Sequence, residues 1–277
     1  MAGVAGVAGV AGVAGATDAA RADCTAGTTV GAIRYRHTTC YFACPAGVCV
    51  PDIVGDTDGV YDAAGTAWEG ARDAPGKTGA GRFVAFDAGW PATLPEYRRL
   101  VKQAGLDFAL LGAVFITHMH MDHAGLVGDF AALGISCYLF GSQTTGIADM
   151  ERLITRNRDY NGYTPIDPRR LTIVEPAMFS GIAASFGLHA DILHTPSHSP
   201  DSYSFIIHDG VVAGASGMQK VSGTYDLTTL AIVGDLAPPE QIMPDDQPAL
   251  ADWDSIRKAG ARDILPAHAP FFVLDTR

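Results

Sequence analysis

At 277 residues the chain is long enough for one layered α/β domain, and 48% hydrophobic against 18% charged residues allow a sizeable core and exclude overall disorder. Nineteen Lys and Arg against 30 Asp and Glu leave a formal net charge of −11. This balance argues against nucleic acid or an anionic membrane as a bulk electrostatic partner and leaves small molecules as the expected ones. A run of about 18 strongly apolar residues, the mark of a transmembrane helix, is not found. Five cysteines (Cys24, Cys40, Cys44, Cys49 and Cys137) form no regular framework and read as ordinary thiols of a cytoplasmic protein. A disulfide or metal among the closely spaced Cys40, Cys44 and Cys49 stays open.

Residues 2–15 are a tandem Ala-Gly-Val repeat. It lacks the basic flank and strongly apolar centre of a secretory signal, so 1–28 is expected to be a flexible tail ahead of a globular domain over 29–277. Residues 29–36 and 38–43, rich in β-branched and aromatic types, predict two short strands. Residues 44–80 are dense in Gly, Ala and Asp and predict a long insertion. Its Asp52, Asp56, Asp58 and Asp62 lack the spacing and closing Glu of an EF-hand and read as solvated loop carboxylates. An apolar strand over 83–87 then ends in Asp87-Ala88-Gly89. A helix opens at Pro95 and runs to Gly105, and a buried strand over 113–116 follows. Strands alternating with helices define the class as α/β.

That last strand runs directly into Thr117-His118-Met119-His120-Met121-Asp122-His123. Three imidazoles and a carboxylate within six residues are ligands that zinc and related divalent ions accept. Alternation in an extended backbone throws His118 and His120 to one side. The turn that follows would swing Asp122 and His123 toward a second ion.

This segment matches the His-x-His-x-Asp-His signature of the metallo-β-lactamase superfamily. In the right order, Thr195-Pro196-Ser197-His198 resembles that family's Thr-Pro-Gly-His motif, Val233-Gly234-Asp235 its apolar strand closing on Gly-Asp, and Pro266-Ala267-His268-Ala269 its Pro-Gly-His-Gly motif. Phe86-Asp87-Ala88-Gly89 resembles its Asp-x-Gly element, and the resemblance covers roughly residues 30 to 272. It implies a four-layer αββα sandwich holding two divalent ions, zinc first and iron or manganese as alternatives. His118, His120 and His198 would hold one ion and Asp122, His123 and His268 the other, with Asp235 bridging them. Asp122 would also act in catalysis, orienting the nucleophile and passing a proton to the leaving atom. The implied activity is hydrolysis of an ester, lactone, thioester or β-lactam through a hydroxide shared by two ions about 3.5–4 Å apart.

The chain departs from the pattern at Ser197 and Ala267, where the motifs carry glycine; a positive φ there would impose strain. A second alignment puts Ala215 in place of the bridging aspartate. The preferred one treats 212–230 as an insertion, because residues 230–233 supply the apolar strand that Asp235 should follow. Two rival functions remain: a mononuclear iron dioxygenase of the persulfide dioxygenase type, and a non-catalytic binding protein with a degenerate site. Residues 141–170, with Arg152, Arg156, Arg158, Tyr160 and Tyr163, are either substrate-facing or an exposed amphipathic helix and loop. A homodimer is also open.

Overall fold

The β-branched and aromatic residues near the start pair with each other. Strands β1 (Thr28–Tyr35) and β2 (Thr38–Cys44) form an antiparallel hairpin closed at Tyr35↔Thr38, with Arg36 at φ 55° in its two-residue turn. The computed structural model describes residues 27–45, 82–212 and 228–274. Most of the expected tail and of the two expected insertions, with Cys24, Cys49 and Ala215, lies outside the described residues, and β1 begins on the last tail residue, Thr28.

From β2 the sheet extends through β3 (Phe83–Phe86), β4 (Leu111–Phe115), β5 (Ser136–Phe140) and β6 (Thr172–Val174), these four joined in parallel. Helices supply the crossovers that parallel neighbours need. Helix α1 (Leu94–Gln103) starts on Pro95, whose fixed φ suits a first turn, and is followed by Gly105 at φ 72°. Short helices α2 (Met121–Ala124) and α3 (Val127–Ala132) lead to β5, and α4 (Ile147–Arg156) lies between β5 and β6.

After α5 (Phe179–Ser185) come β7 (Ala190–His194), β8 (Tyr203–Val212), β9 (Thr228–Gly234), α6 (Gln247–Lys258), β10 (Asp263–Pro266) and β11 (Phe272–Val273). The strand order is β11-β10-β9-β8-β1-β2-β3-β4-β5-β6, with β7 also on β8. The far end of β8 pairs in parallel with β1 (Thr28↔Gly210), and this join links the two halves of the sheet.

Three apolar seams separate the layers. Phe83 and Ala85 face Tyr97, Leu100 and Val101 of α1 and Phe130 of α3. The alternate residues Val84 and Phe86 face Phe205, Ile207, Leu230 and Ile232 of the other half. On that half's outer face, Ile206, Ala231 and Val233 pack against Trp253 and Ile256 of α6. The period-2 alternation along β3, β8 and β9 thus sends side chains to two different seams. Helix–sheet, sheet–sheet and sheet–helix seams are what an αββα sandwich requires, and both strand faces are buried. Phe86 and Phe205 meet at 4.8 Å between centroids, and Phe115 and Phe179 at 5.1 Å; burying each such ring stabilises the fold by roughly 1.5–3 kcal/mol.

The strands expected at 29–36, 38–43 and 83–87 and the helix from Pro95 lie within two residues of those observed. Cys40 and Cys44 on β2 and Cys137 on β5 are all buried. Burial pushes the Cys137 thiol up to about 12. Among the described residues no helix is long and apolar enough to cross a membrane.

Candidate metal centre

The chemistry-bearing residues follow the C-terminal ends of five strands: Asp87 after β3, His118 to His123 after β4, His198 after β7, Asp235 after β9 and His268 after β10. In α/β sheets that end is where the chain leaves the sheet and side chains converge on a crevice. Two groups result. Ligand-type atoms of His118, His120, His198 and Asp235 all lie within 4.8 Å of one another, as do those of Asp122, His123, Asp235 and His268.

Asp235 belongs to both groups through different oxygens. Its Oδ2 lies 3.6 Å from His118 Nε2 and 3.5 Å from His198 Nε2. Its Oδ1 lies 2.9 Å from His123 Nε2 and 3.1 Å from His268 Nε2. In the first group His120 turns Nδ1 inward, 2.9 Å from His118 Nε2 and 3.2 Å from His198 Nε2. In the second, Asp122 Oδ2 lies 3.0 Å from His268 Nε2 and 3.3 Å from His123 Nε2.

The outer nitrogens decide the tautomers. Asp87 is buried, and its carboxylate accepts from Thr117 N (2.7 Å), from Thr117 Oγ1 (3.0 Å) and from His123 Nδ1 (2.8 Å). Thr117 Oγ1 in turn faces His118 Nδ1 at 3.0 Å, and His268 Nδ1 donates to the His37 carbonyl at 2.7 Å. With its hydroxyl proton given to Asp87, Thr117 can only accept from His118. The Nε2 lone pairs of His118, His123 and His268 therefore all point inward at carboxylates and at each other.

Lone pairs and carboxylates gathered in this way need a positive charge between them. With the His123 proton on Nδ1, His123 Nε2 and Asp235 Oδ1 are buried acceptors 2.9 Å apart with no donor between them, a costly state that a cation would relieve. Protons are the other means of compensation. Burial opposes charge on His123, but Asp87 and then Asp122 and Asp235 push its pKa well up. Hydrogen bonds to Asp122 and Asp235 push His268 up to about 10. Burial raises the pKa of Asp122 and of Asp235, yet contacts with His123 and His268 hold both carboxyls well below the usual range. His118 and His198 are held below the ordinary imidazole value, chiefly by burial. The donor set of imidazole nitrogens and carboxylate oxygens, four per group, fits two divalent ions.

Neither Ser197 nor Ala267 lies at positive φ, so the two replaced glycines impose no strain. The position that does need glycine is Gly234, at φ 57°, where an added Cβ would stand 2.9 Å from Thr117 Oγ1. Several supports were not read from the sequence. Thr38 Oγ1 donates to Asp122 Oδ2 at 2.9 Å and accepts from Trp90 Nε1 at 3.1 Å. Asp252 of α6 holds Ser197 N at 2.9 Å, and Asp201 holds Met119 N at 2.9 Å.

A cleft of about 490 Å³ opens beside the site, reaching His120 and Asp122. From the 141–170 segment it is lined by Gly146, Asp149, Met150 and Leu153, and not by the candidate arginines and tyrosines, which favours the exposed helix-and-loop reading of those side chains. Arg152 pairs instead with Asp149 (2.8 Å), Tyr163 donates to Glu151 (3.1 Å) and Tyr160 stacks on Trp90. Arg156 and Arg158 are exposed.

No family model and no curated protein sequence matches the chain. Solved structures do. A metallo-β-lactamase family protein from Thermus thermophilus is 15% identical, aligns over 89% of this chain and 75% of its own, and has a TM-score of 0.51. An archaeal metallo-β-lactamase superfamily protein from Sulfolobus tokodaii is 13% identical over 86% of this chain and 76% of its own, at 0.46. A protein solved in a di-iron-bound form is 22% identical over 70% and 85%, also at 0.46. The Thermus likeness, together with the mixed sheet and its flanking helices, shows that the chain has the fold of the metallo-β-lactamase superfamily.

Proposed function

We propose that the chain is a dinuclear metal-dependent hydrolase acting on an ester, lactone, thioester or β-lactam bond of a small molecule. The observation that carries this reading is Asp235, whose two oxygens face two different groups of three further donors. His118, His120 and His198 would hold one ion, Asp122, His123 and His268 the other, and Asp235 both. The N/O donor set suits zinc first, and iron or manganese next. When bound, such a pair supplies a water acidified toward neutrality and polarisation of the scissile carbonyl.

The chain's own residues do the rest. Asp122 lines the cleft, and its Oδ2 is fixed by Thr38, so the carboxylate can orient the attacking water and carry a proton to the departing atom. Asp87 and the His37 carbonyl fix the imidazole tautomers. The mononuclear dioxygenase reading would leave one complete donor group without a purpose.

The test is metal content by elemental analysis in the wild type and in Asp235→Ala. Two ions per chain, falling in the variant, support the reading and justify a panel of ester, lactone and thioester substrates. One iron per chain with oxygen uptake would favour the dioxygenase. A metal content indifferent to Asp235 would favour a degenerate binding site.

A further inference from the structure

We propose that the cleft beside the two groups selects uncharged substrates with an aliphatic acyl arm and turns away those carrying a second carboxylate or a phosphate. This rests on the hydrolase reading above. The cleft's walls are Met119, Met121, Met150 and Leu153, with His120 and Asp122 at the reacting end. Met119 and Met150 are buried, but Leu153, one turn along α4 from Met150, is 52% exposed. An apolar strip thus runs from the core of the site out to solvent. Unbranched methionines adapt to flexible chains, and a volume of about 490 Å³ is within the range of small-molecule sites.

Among the described residues, the carboxylates that line the cleft beyond Asp122 are already engaged. Asp201 lines the cleft, but its Oδ2 accepts from Met119 N and its Oδ1 from Ser199 Oγ at 2.7 Å. Asp149 pairs with Arg152 across one turn of helix. No lysine or arginine among the described residues lines the cleft. A substrate anion placed here would be desolvated against thioethers without a partner, next to the Asp149 carboxylate. An alkyl arm would meet only favourable burial. In the reaction itself, water adds its oxygen to the acyl carbon, the acyl–oxygen bond breaks, and the alcohol leaves with the remaining proton.

The experiment uses the full metal-loaded chain. Rates are compared for p-nitrophenyl acetate, butanoate and hexanoate, and for the hemiester mono-p-nitrophenyl adipate, whose acyl arm matches hexanoate but ends in a carboxylate. Calorimetry compares binding of 2-heptanone with 6-oxoheptanoate, which needs no turnover. Burial of each methylene should raise kcat/KM about four-fold. The hemiester should run about ten-fold or more below hexanoate, and 2-heptanone should bind tighter than its anionic counterpart. Leu153→Lys, at a position exposed enough to keep the fold, should lift the hemiester relative to hexanoate by about ten-fold. Hydrolysis indifferent to chain length and to the terminal charge would overturn the cleft proposal and leave the hydrolase intact. If no ester turns over on a chain with two ions, the hydrolase reading fails, and the ketones decide the cleft alone. Equal or reversed ketone binding would then overturn it.

Discussion

Asp87→Asn is a change of one atom whose effect on the centre can be worked out in advance. In the wild type the Asp87 carboxylate makes three kinds of contact: with Thr117 N, with Thr117 Oγ1 and with His123 Nδ1. Asparagine keeps an oxygen for both Thr117 contacts, and it tolerates the φ of 69° at this position as well as aspartate does. What changes is the atom facing His123 at 2.8 Å. An amide NH2 donates where a carboxylate accepted, so His123 Nδ1 must become the acceptor and its proton must move to Nε2. That nitrogen then presents N–H, not a lone pair, to Asp122 and Asp235. Exchanging charge-assisted for neutral hydrogen bonds should lower the stability of the metal-free protein by only about 1–2 kcal/mol.

Affinity for the ion in the Asp122–His123–His268 group should fall by about 10–100-fold, the usual effect of losing an outer partner of a ligating imidazole. The His118–His120–His198 group, which does not contact Asp87 directly, should lose much less. Zinc titration against a competing chromophoric chelator resolves the two successive constants, and urea denaturation of the metal-free variant supplies the stability control. Two unchanged constants, or two that fall together, would show that Asp87 does not set the His123 tautomer.

Three further outcomes are expected. Gly234→Ala places a Cβ 2.9 Å from Thr117 Oγ1 at φ 57°; the left-handed backbone alone costs about 1–2 kcal/mol. Urea denaturation should register at least that loss and elemental analysis a fall in bound metal, and an unaltered midpoint with two ions retained would refute the argument. In the metal-free protein His268 has a pKa raised from 6.5 to about 10, so the native state holds a proton that the unfolded chain has released. Its stabilising contribution is whole below pH 6.5 and is lost as pH rises toward about 10. Urea midpoints of the chelated protein should therefore fall across that window, and His268→Ala should flatten the fall. Metal affinity should rise over the same window, since binding must displace protons. Thr38→Val keeps the shape of β2 but removes the hydroxyl that accepts from Trp90 and donates to Asp122. Turnover should drop about ten-fold with KM little changed and Trp90 emission shifted, and Thr38→Ser should restore both; unchanged turnover would make the contact merely structural.

What could be read in the sequence was local. The histidine cluster follows a run of apolar residues, and ligand type and spacing show in the chain itself without any knowledge of pairing. Short continuous apolar runs made β3, β4 and β9 legible for the same reason. The supports of the site were not legible, because they are common residues distant in sequence. Thr38 reaches Asp122 across 84 positions, and His37 reaches His268 across 231. Nothing about a threonine at a hairpin tip announces such a partner until β1 is seen to pair with β8 and bring the two sheet halves together. The arginines of 152–158 left two readings open for a related reason. Counting basic residues near a site does not say which way they face, and the side of α4 toward the cleft carries Met150 and Leu153.

Of the four left-handed non-glycine residues among those described, Asp87 and Ala92 follow β3 beside the donors, Arg36 sits in the β1–β2 turn and Asp209 lies within β8. Left-handed non-glycine residues cost about 1–3 kcal/mol each and persist only where surrounding structure holds them. At Asp87 the holding structure is the Phe86, Phe115, Phe179 and Phe205 seam just below, together with the contacts of Asp87 itself. Buried charge is thus concentrated at one edge of a sandwich whose three seams do not depend on it. Removing metal should therefore loosen that edge first. Amide exchange at Ala88, His123 and Ala267, whose N–H groups bond to loop or strand-end carbonyls around the site, should accelerate on chelation well before exchange in β3 and β4 does.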